Sequence, residues 1–205
     1  SDAENVRTTL DEDGNIVSGV IEINEGHVEW MLDKAGKLTV TGEGDCIDPS
    51  GDDESNYLLY PWYQYKDRIK SAEVSVKKMT TTANMFYDCN KMEEIDFTGS
   101  DTSQVTDMYG MFMRCENLEK INFASFNTEH VEDISAMFYE CTNLKSIDLT
   151  KFSTQNVTNM HWVFRACSSL KSLDLSNFDT SNVKNMQGLF WDCSGLTSLD
   201  LSNFN

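Results

Sequence analysis

Met137-Phe138-Tyr139-Glu140-Cys141-Thr142-Asn143-Leu144-Lys145-Ser146-Ile147-Asp148-Leu149-Thr150-Lys151-Phe152-Ser153-Thr154-Gln155-Asn156-Val157-Thr158-Asn159-Met160 is one copy of a repeated unit. Its cysteine is one of five, Cys89, Cys115, Cys141, Cys167 and Cys193, which follow one another every 26 residues. Other columns keep the same register. One is Ile95, Ile121, Ile147, Leu173 and Leu199; another is Phe97, Phe123, Leu149, Leu175 and Leu201. A third is Phe86, Phe112, Phe138, Phe164 and Phe190. Such a period marks stacked units, each able to bury its apolar face only against its neighbours.

Within a unit, apolar and polar residues alternate through Ser146-Ile147-Asp148-Leu149-Thr150, which predicts a short strand with one buried face. Downstream, Met108, Met111, Phe112 and Cys115 fall at i, i+3, i+4 and i+7, the spacing of one face of a short helix. Asp107, Asp133, Asn159 and Asn185 precede these stretches and read as helix N-caps. The expected fold is therefore an α/β repeat solenoid of leucine-rich-repeat type. It has a parallel sheet on one face, short helices on the other and a small amino-terminal β cap.

The quoted stretch resembles the BspA-like leucine-rich repeats of bacterial surface proteins, which also occur in mycoplasma surface lipoproteins. The likeness covers about residues 79–205 and recurs four times nearly intact. Trp30-Met31-Leu32-Asp33 with Gly36-Lys37-Leu38-Thr39-Val40-Thr41-Gly42-Glu43-Gly44 resembles the β segment that often precedes such repeats. Pro61-Trp62-Tyr63-x-Tyr65, with Ile69 and Val74, resembles their degenerate first rung. The Cys-Gly pair that usually opens the β segment is missing here.

Upstream of the repeats, Val28, Trp30 and Leu32 alternate with polar residues, Lys34-Ala35-Gly36 supplies a turn, and Leu38 and Val40 alternate again. Residues 45–56, with Pro49, Gly51 and clustered aspartates, read as an acidic loop. The organisation expected is a β-rich capping region at 1–56 and repeats at 57–205, with a degenerate first rung and an incomplete last one. The sequence stops inside a repeat, as a fragment of a longer protein or an unusually exposed last rung would. Charge is uneven too. Up to Tyr60 fifteen acids face three bases, so that segment holds −12 of the net −18. Such a field repels nucleic acid and anionic lipid. Apolar runs are too short for a transmembrane helix or signal peptide, so no direct membrane insertion is expected.

Little in the chain suggests catalysis. Its three histidines, His27, His130 and His161, stand in no metal-ligand spacing, and no phosphate loop, dinucleotide fingerprint or nucleophile elbow appears. No enzyme activity, cofactor or catalytic residue is expected. The periodic thiols read as small buried hydrophobes, and Cys46 lies off their ladder. Asp96, Asn122, Asp148, Asp174 and Asp200 occupy the outward position of the strand. Among them Asp148, Asp174 and Asp200 are weak calcium candidates, solvation and screening by nearby lysines being the plainer account.

A more specific candidate is an irregularity in the repeat. The column Gly110, Ala136, Trp162, Gly188 is small except at Trp162, and the column Met113, Tyr139, Arg165, Trp191 is bulky and exposed. Tyr139, His161, Trp162, Arg165 and Trp191 therefore form a candidate ligand-binding patch, of residue types that dominate hot spots. The plainer alternative is that these aromatics simply cover core between rungs. The resemblance implies a non-catalytic recognition or adhesion module, extracellular and at a bacterial cell surface. Its partner would be a protein or glycan on a host or neighbouring cell. A passive spacer and a glycan-binding module are the alternatives. If all six cysteines are structural, the denatured protein should titrate six free thiols with and without prior reduction; a lower count without reductant would disprove this.

Overall fold

The computed structural model describes residues 6–10, 16–49 and 56–205. Half of the segment read as an acidic loop, residues 50–55, lies outside them. Seven strands form one mixed sheet: β1 (Val6–Leu10), β2 (Val17–Ile21), β3 (His27–Leu32), β4 (Lys37–Glu43), β5 (Ser71–Lys77), β6 (Glu94–Asp96) and β7 (Lys120–Asn122). The first four run antiparallel and β4 to β7 run parallel. In β3 exposed and buried residues alternate strictly, with Val28, Trp30 and Leu32 inward. In the parallel part Leu38, Ala72, Ile95 and Ile121 stand abreast, so the amino-terminal sheet continues into the first rungs.

The expected helical face is absent. Among the described residues the helical elements are two 3₁₀ turns, Asn56–Leu59 and Tyr63–Arg68, both at the degenerate first rung and ahead of the regular ones. The chain is not an α/β solenoid, and the regular parallel sheet stops at β7. Where helices were expected, the backbone alternates between two partners. Met108, Gly110, Phe112 and Arg114 donate their N–H groups to Asp133, Ser135, Met137 and Tyr139 of the next rung, at 2.7–2.9 Å. The residues between them close turns instead: Met111 N–H to Met108, Met113 to Gly110 and Cys115 to Phe112.

This alternation needs a left-handed residue every fourth position. Asn84, Gly110, Ala136, Trp162 and Gly188 have φ between 54° and 61°; Asp88, Arg114, Glu140, Ala166 and Asp192 lie between 58° and 64°. An α-helix cannot pass through either column. The apolar spacing of 3, 4 and 7 misled because consecutive tight turns bring the same residues to one side.

Asp107, Asp133, Asn159 and Asn185 are correspondingly not helix caps. They make single parallel bridges from rung to rung. Their Oδ1 atoms accept the backbone N–H two residues on, at 2.7–3.5 Å. Burial and the neighbouring Asp133 raise the pKa of Asp107, against the Tyr109 N–H that it accepts.

The core is a set of ladders. Phe86, Phe112, Phe138, Phe164 and Phe190 stack nearly parallel, with centroids 5.7–6.1 Å apart, and Trp62 extends the stack by one ring. Such pairs contribute about 0.5–1.5 kcal/mol each beyond their burial. All six cysteines are free and buried. Burial raises the pKa of each thiol. Four remain protonated donors: Cys115, Cys141, Cys167 and Cys193 point Sγ at the carbonyls of Phe86, Phe112, Phe138 and Phe164, at 2.9–3.2 Å.

A hydroxyl ladder does the same for the loops. Thr128 donates to the Ser153 carbonyl at 2.8 Å and accepts the Ser153 N–H at 2.7 Å. Thr102 and Thr154 repeat the arrangement one rung earlier and later. The first rung borrows side chains where a preceding rung is lacking. Asp45 Oδ1 accepts the Thr80 N–H at 2.6 Å, while Tyr60 Oη and Trp62 Nε1 donate to the Ala83 and Met85 carbonyls at 2.9 Å. In later rungs those same positions are served by backbone.

Outward aspartates are turn residues. Asp148 Oδ1 accepts the Thr150 N–H at 3.0 Å and its hydroxyl at 2.6 Å, and Asp174 treats Ser176 alike. Asn122 accepts the Ala124 N–H in the same way, so the turn needs an oxygen rather than a charge.

Two measurements check this account. Thr128→Val leaves both backbone groups of Ser153 unpaired and should cost about 1–3 kcal/mol in urea unfolding; a neutral result would remove the hydroxyl ladder as a stabilising element. Hydrogen bonds from Thr98, Thr150, Ser176 and Ser202 lower the pKa values of Asp96, Asp148, Asp174 and Asp200. Native carboxylates of this kind bind protons more weakly than the unfolded chain does. Their stabilisation is complete above the ordinary carboxylate range and is lost as pH falls through the lowered native values. Asp148→Asn should fold normally and flatten the acid limb of the melting-temperature profile; an unchanged limb would show that this turn does not contribute to it.

Candidate functional site

All five residues of the predicted patch meet on the turn side of the stack, three rungs contributing. Tyr139 comes from one, His161, Trp162 and Arg165 from the next, and Trp191 from the third. Trp162 and Arg165 are neighbours without a helix, because the Arg165 N–H closes a turn on the Trp162 carbonyl at 3.2 Å. The inter-rung ladder then sets the flanks: Trp162 donates its N–H to Gln187 and Ala166 to Trp191, while Ala136 and Glu140 donate to His161 and Arg165.

The Arg165 guanidinium is the centre. It lies 4.3 Å from the Trp191 ring centroid and 5.1 Å from those of Tyr139 and Trp162. Cation–π contacts of this kind contribute about 0.5–1 kcal/mol each when exposed, and more when desolvated. Tyr139 and Trp162 are 6.1 Å apart. His161 stands edge-on to Trp162 at 5.0 Å, with Nδ1 held 2.7 Å from Asn159 Oδ1. Tyr109, absent from the sequence-level patch, reaches His161 at 6.4 Å. Its place two rungs back was readable from the repeat only once the turn geometry was known.

Trp162 is the irregular member. It holds φ = 59° at a position that Gly110 and Gly188 occupy in other rungs. A left-handed L-residue costs about 1–2 kcal/mol. Its indole lies over Gly188, where an added Cβ would come within 2.7 Å of Cδ1 and 3.0 Å of Nε1. Nε1 itself is buried without an acceptor, a further cost of about 1–3 kcal/mol. Trp191, 53% exposed, forms the open wall of the patch.

The weak calcium candidates behave differently. Asp148, Asp174 and Asp200 each spend an oxygen on their own turn. Among the described residues no three His, Cys, Asp or Glu side chains converge as a metal site needs. His27 sits apart, between Glu22 and Glu29 at 3.4 and 3.3 Å, which raises its pKa, chiefly through the hydrogen bond to Glu29. His130 Nδ1 lies 2.9 Å from the Ser103 carbonyl.

The crystal structure of a leucine-rich repeat protein from Eubacterium ventriosum is 18% identical, over 84% of this chain and 75% of that one. Its TM-score is 0.27, too low a likeness to carry a structural or functional conclusion. No curated protein matches the chain. The family model described as "Mycoplasma protein of unknown function, DUF285" matches residues 63–147 and 117–205. These stretches take in every rung that builds the patch, and by a match over more than half its length the chain belongs to the DUF285 family.

Proposed function

We propose that this chain is a non-catalytic recognition module of a bacterial cell-surface protein, of the BspA-like kind, and that it binds a protein or glycan partner outside the cell. The observation that carries the reading is Trp162. A repeat that elsewhere places small residues at this left-handed position tolerates there a strained tryptophan with an orphaned indole N–H. The left-handed backbone is common to the column, but Trp162 alone adds to it a bulky ring with an orphaned indole N–H, and costly outliers of this kind cluster at binding and switch sites. The rings around Arg165 supply residue types that dominate binding hot spots.

Rigidity supports the same reading. Backbone ladders on both sides of the patch fix its rings before any ligand arrives, so little ordering entropy opposes binding. A spacer would need only regular rungs, and this irregularity argues against that role. The absence of a recognisable catalytic constellation in the sequence fits a binding protein.

The test is a panel of immobilised extracellular-matrix proteins and glycans at physiological salt. Saturable binding is expected, and Trp162→Gly and Trp191→Ala should each reduce it at least about tenfold, or 1.4 kcal/mol. Trp162→Gly should leave unfolding stability within about 1 kcal/mol, because relief of strain offsets the lost ring contacts. Binding that survives both substitutions, or none across the panel, would overturn the proposal.

A further inference from the structure

Arg165 is set apart from the other cations of this acidic chain by the rings around it. Some described bases pair with acids, Lys37 with Glu73 at 2.6 Å, Lys66 with Asp88 at 2.9 Å and Arg114 with Glu140 at 3.3 Å, while several lysines, Lys120 and Lys145 among them, form no ion pair among the described residues. Arg165 has 34 acidic residues in its own chain, yet among the described residues none pairs with it and no group accepts a hydrogen bond from its guanidinium. Its contacts are the three ring faces of Tyr139, Trp162 and Trp191. Rings hold a guanidinium by its face and leave the in-plane N–H fork unused. The half-buried cation is thus positioned, and its guanidinium donors are not spent on the protein.

We infer that this platform takes a carboxylate-bearing sugar, the carboxylate on the Arg165 fork and the apolar C–H face of the sugar ring on Trp191. The inference rests on the recognition reading above and names the ligand class for that same site. A planar carboxylate matches the fork with two parallel hydrogen bonds. A single negative charge suits a protein of net charge −18, because a phosphate or a polysulfated chain would meet stronger repulsion from the same surface. At physiological ionic strength screening over about 8 Å confines that repulsion to near neighbours. Arg165 covers one face of Trp191, and the 53% exposure of that residue leaves the opposite face for a flat, weakly polar ring. An acidic peptide side chain would satisfy the fork and leave that face bare.

The experiment follows the four indole N–H resonances of the whole chain by heteronuclear NMR during titration with three probes. These are methyl β-glucuronide, methyl β-glucoside and an N-acetyl-aspartate amide. Trp162 and Trp191 should shift saturably with the glucuronide, while Trp30 and Trp62, both buried in the core, stay still and report an intact fold. The glucoside should bind at least about tenfold more weakly, the loss expected for a charge-assisted hydrogen bond. Arg165→Gln should bring the glucuronide down to the glucoside level, and Arg165→Lys, which keeps charge without the fork, should fall between them.

Equal shifts from glucuronide and glucoside would remove the carboxylate from the inference. Equal shifts from the aspartate probe and the glucuronide would assign the site to peptide and overturn the sugar. If no probe shifts Trp162 or Trp191 while the immobilised panel still shows binding lost in Trp162→Gly, this inference fails and the recognition reading stands. Silence in both experiments would end both.

Discussion

Everything in the repeats depends on where every second backbone N–H goes. In the turn run of each rung, alternate N–H groups leave the rung and find the carbonyls of the next one. The intervening groups close tight turns inside the rung. Backbone polar groups buried against an apolar core must be paired somewhere. This arrangement pairs them without helix or regular sheet, at the cost of two left-handed residues per unit. The register of the phenylalanine stack follows, because the same ladder that joins Phe86 to Met111 and Phe112 to Met137 keeps successive rings parallel. So does the placing of the thiols, whose weak donors reach carbonyls already engaged in turns.

How far the sequence shows this depends on the residue. The 26-residue cysteine period announces stacking, and the inward columns of Phe86, Phe112 and Phe138 read directly from it. The alternation of Val28, Trp30 and Leu32 likewise reads as a strand. Met108, Met111, Phe112 and Cys115 carry a helical spacing whatever the backbone between them does, so the spacing alone does not imply a helix. The contrary signal was present in the left-handed columns themselves. Asn84, Gly110 and Gly188 in one, and Asp88 and Asp192 in the other, are residue types that tolerate positive φ. Alanine, glutamate and arginine at sister positions masked it.

The ladder also has a direction, which the first rung makes visible. Asp45, Tyr60 and Trp62 present an acceptor and two donors at positions that backbone groups fill in later rungs. Sequence reading places Trp62 in a degenerate first rung but gives no reason for its indole N–H. The reason is complementarity: a side chain here replaces a peptide group one for one. The candidate patch was legible as a set of residue types and not as geometry. That Arg165 would lie among three rings, in no ion pair, follows from the turns and cannot be read from a helical wheel.

A stack of near-identical rungs changes what a costly residue means. Stability in such arrays is close to a sum of rung and neighbour terms, so a penalty in one rung is not amplified through the rest. Trp162 can therefore hold a strained backbone and an unpaired indole N–H while the Phe138–Phe164 and Phe164–Phe190 contacts beside it remain parallel within 3°. In a globular core the same residue would perturb packing on every side. Here the ladders on either side confine the strain to a surface turn, where its one consequence is to hold an indole face against Arg165. Repetition supplies the tolerance, and the departure from repetition at Trp162 stays local to its own turn.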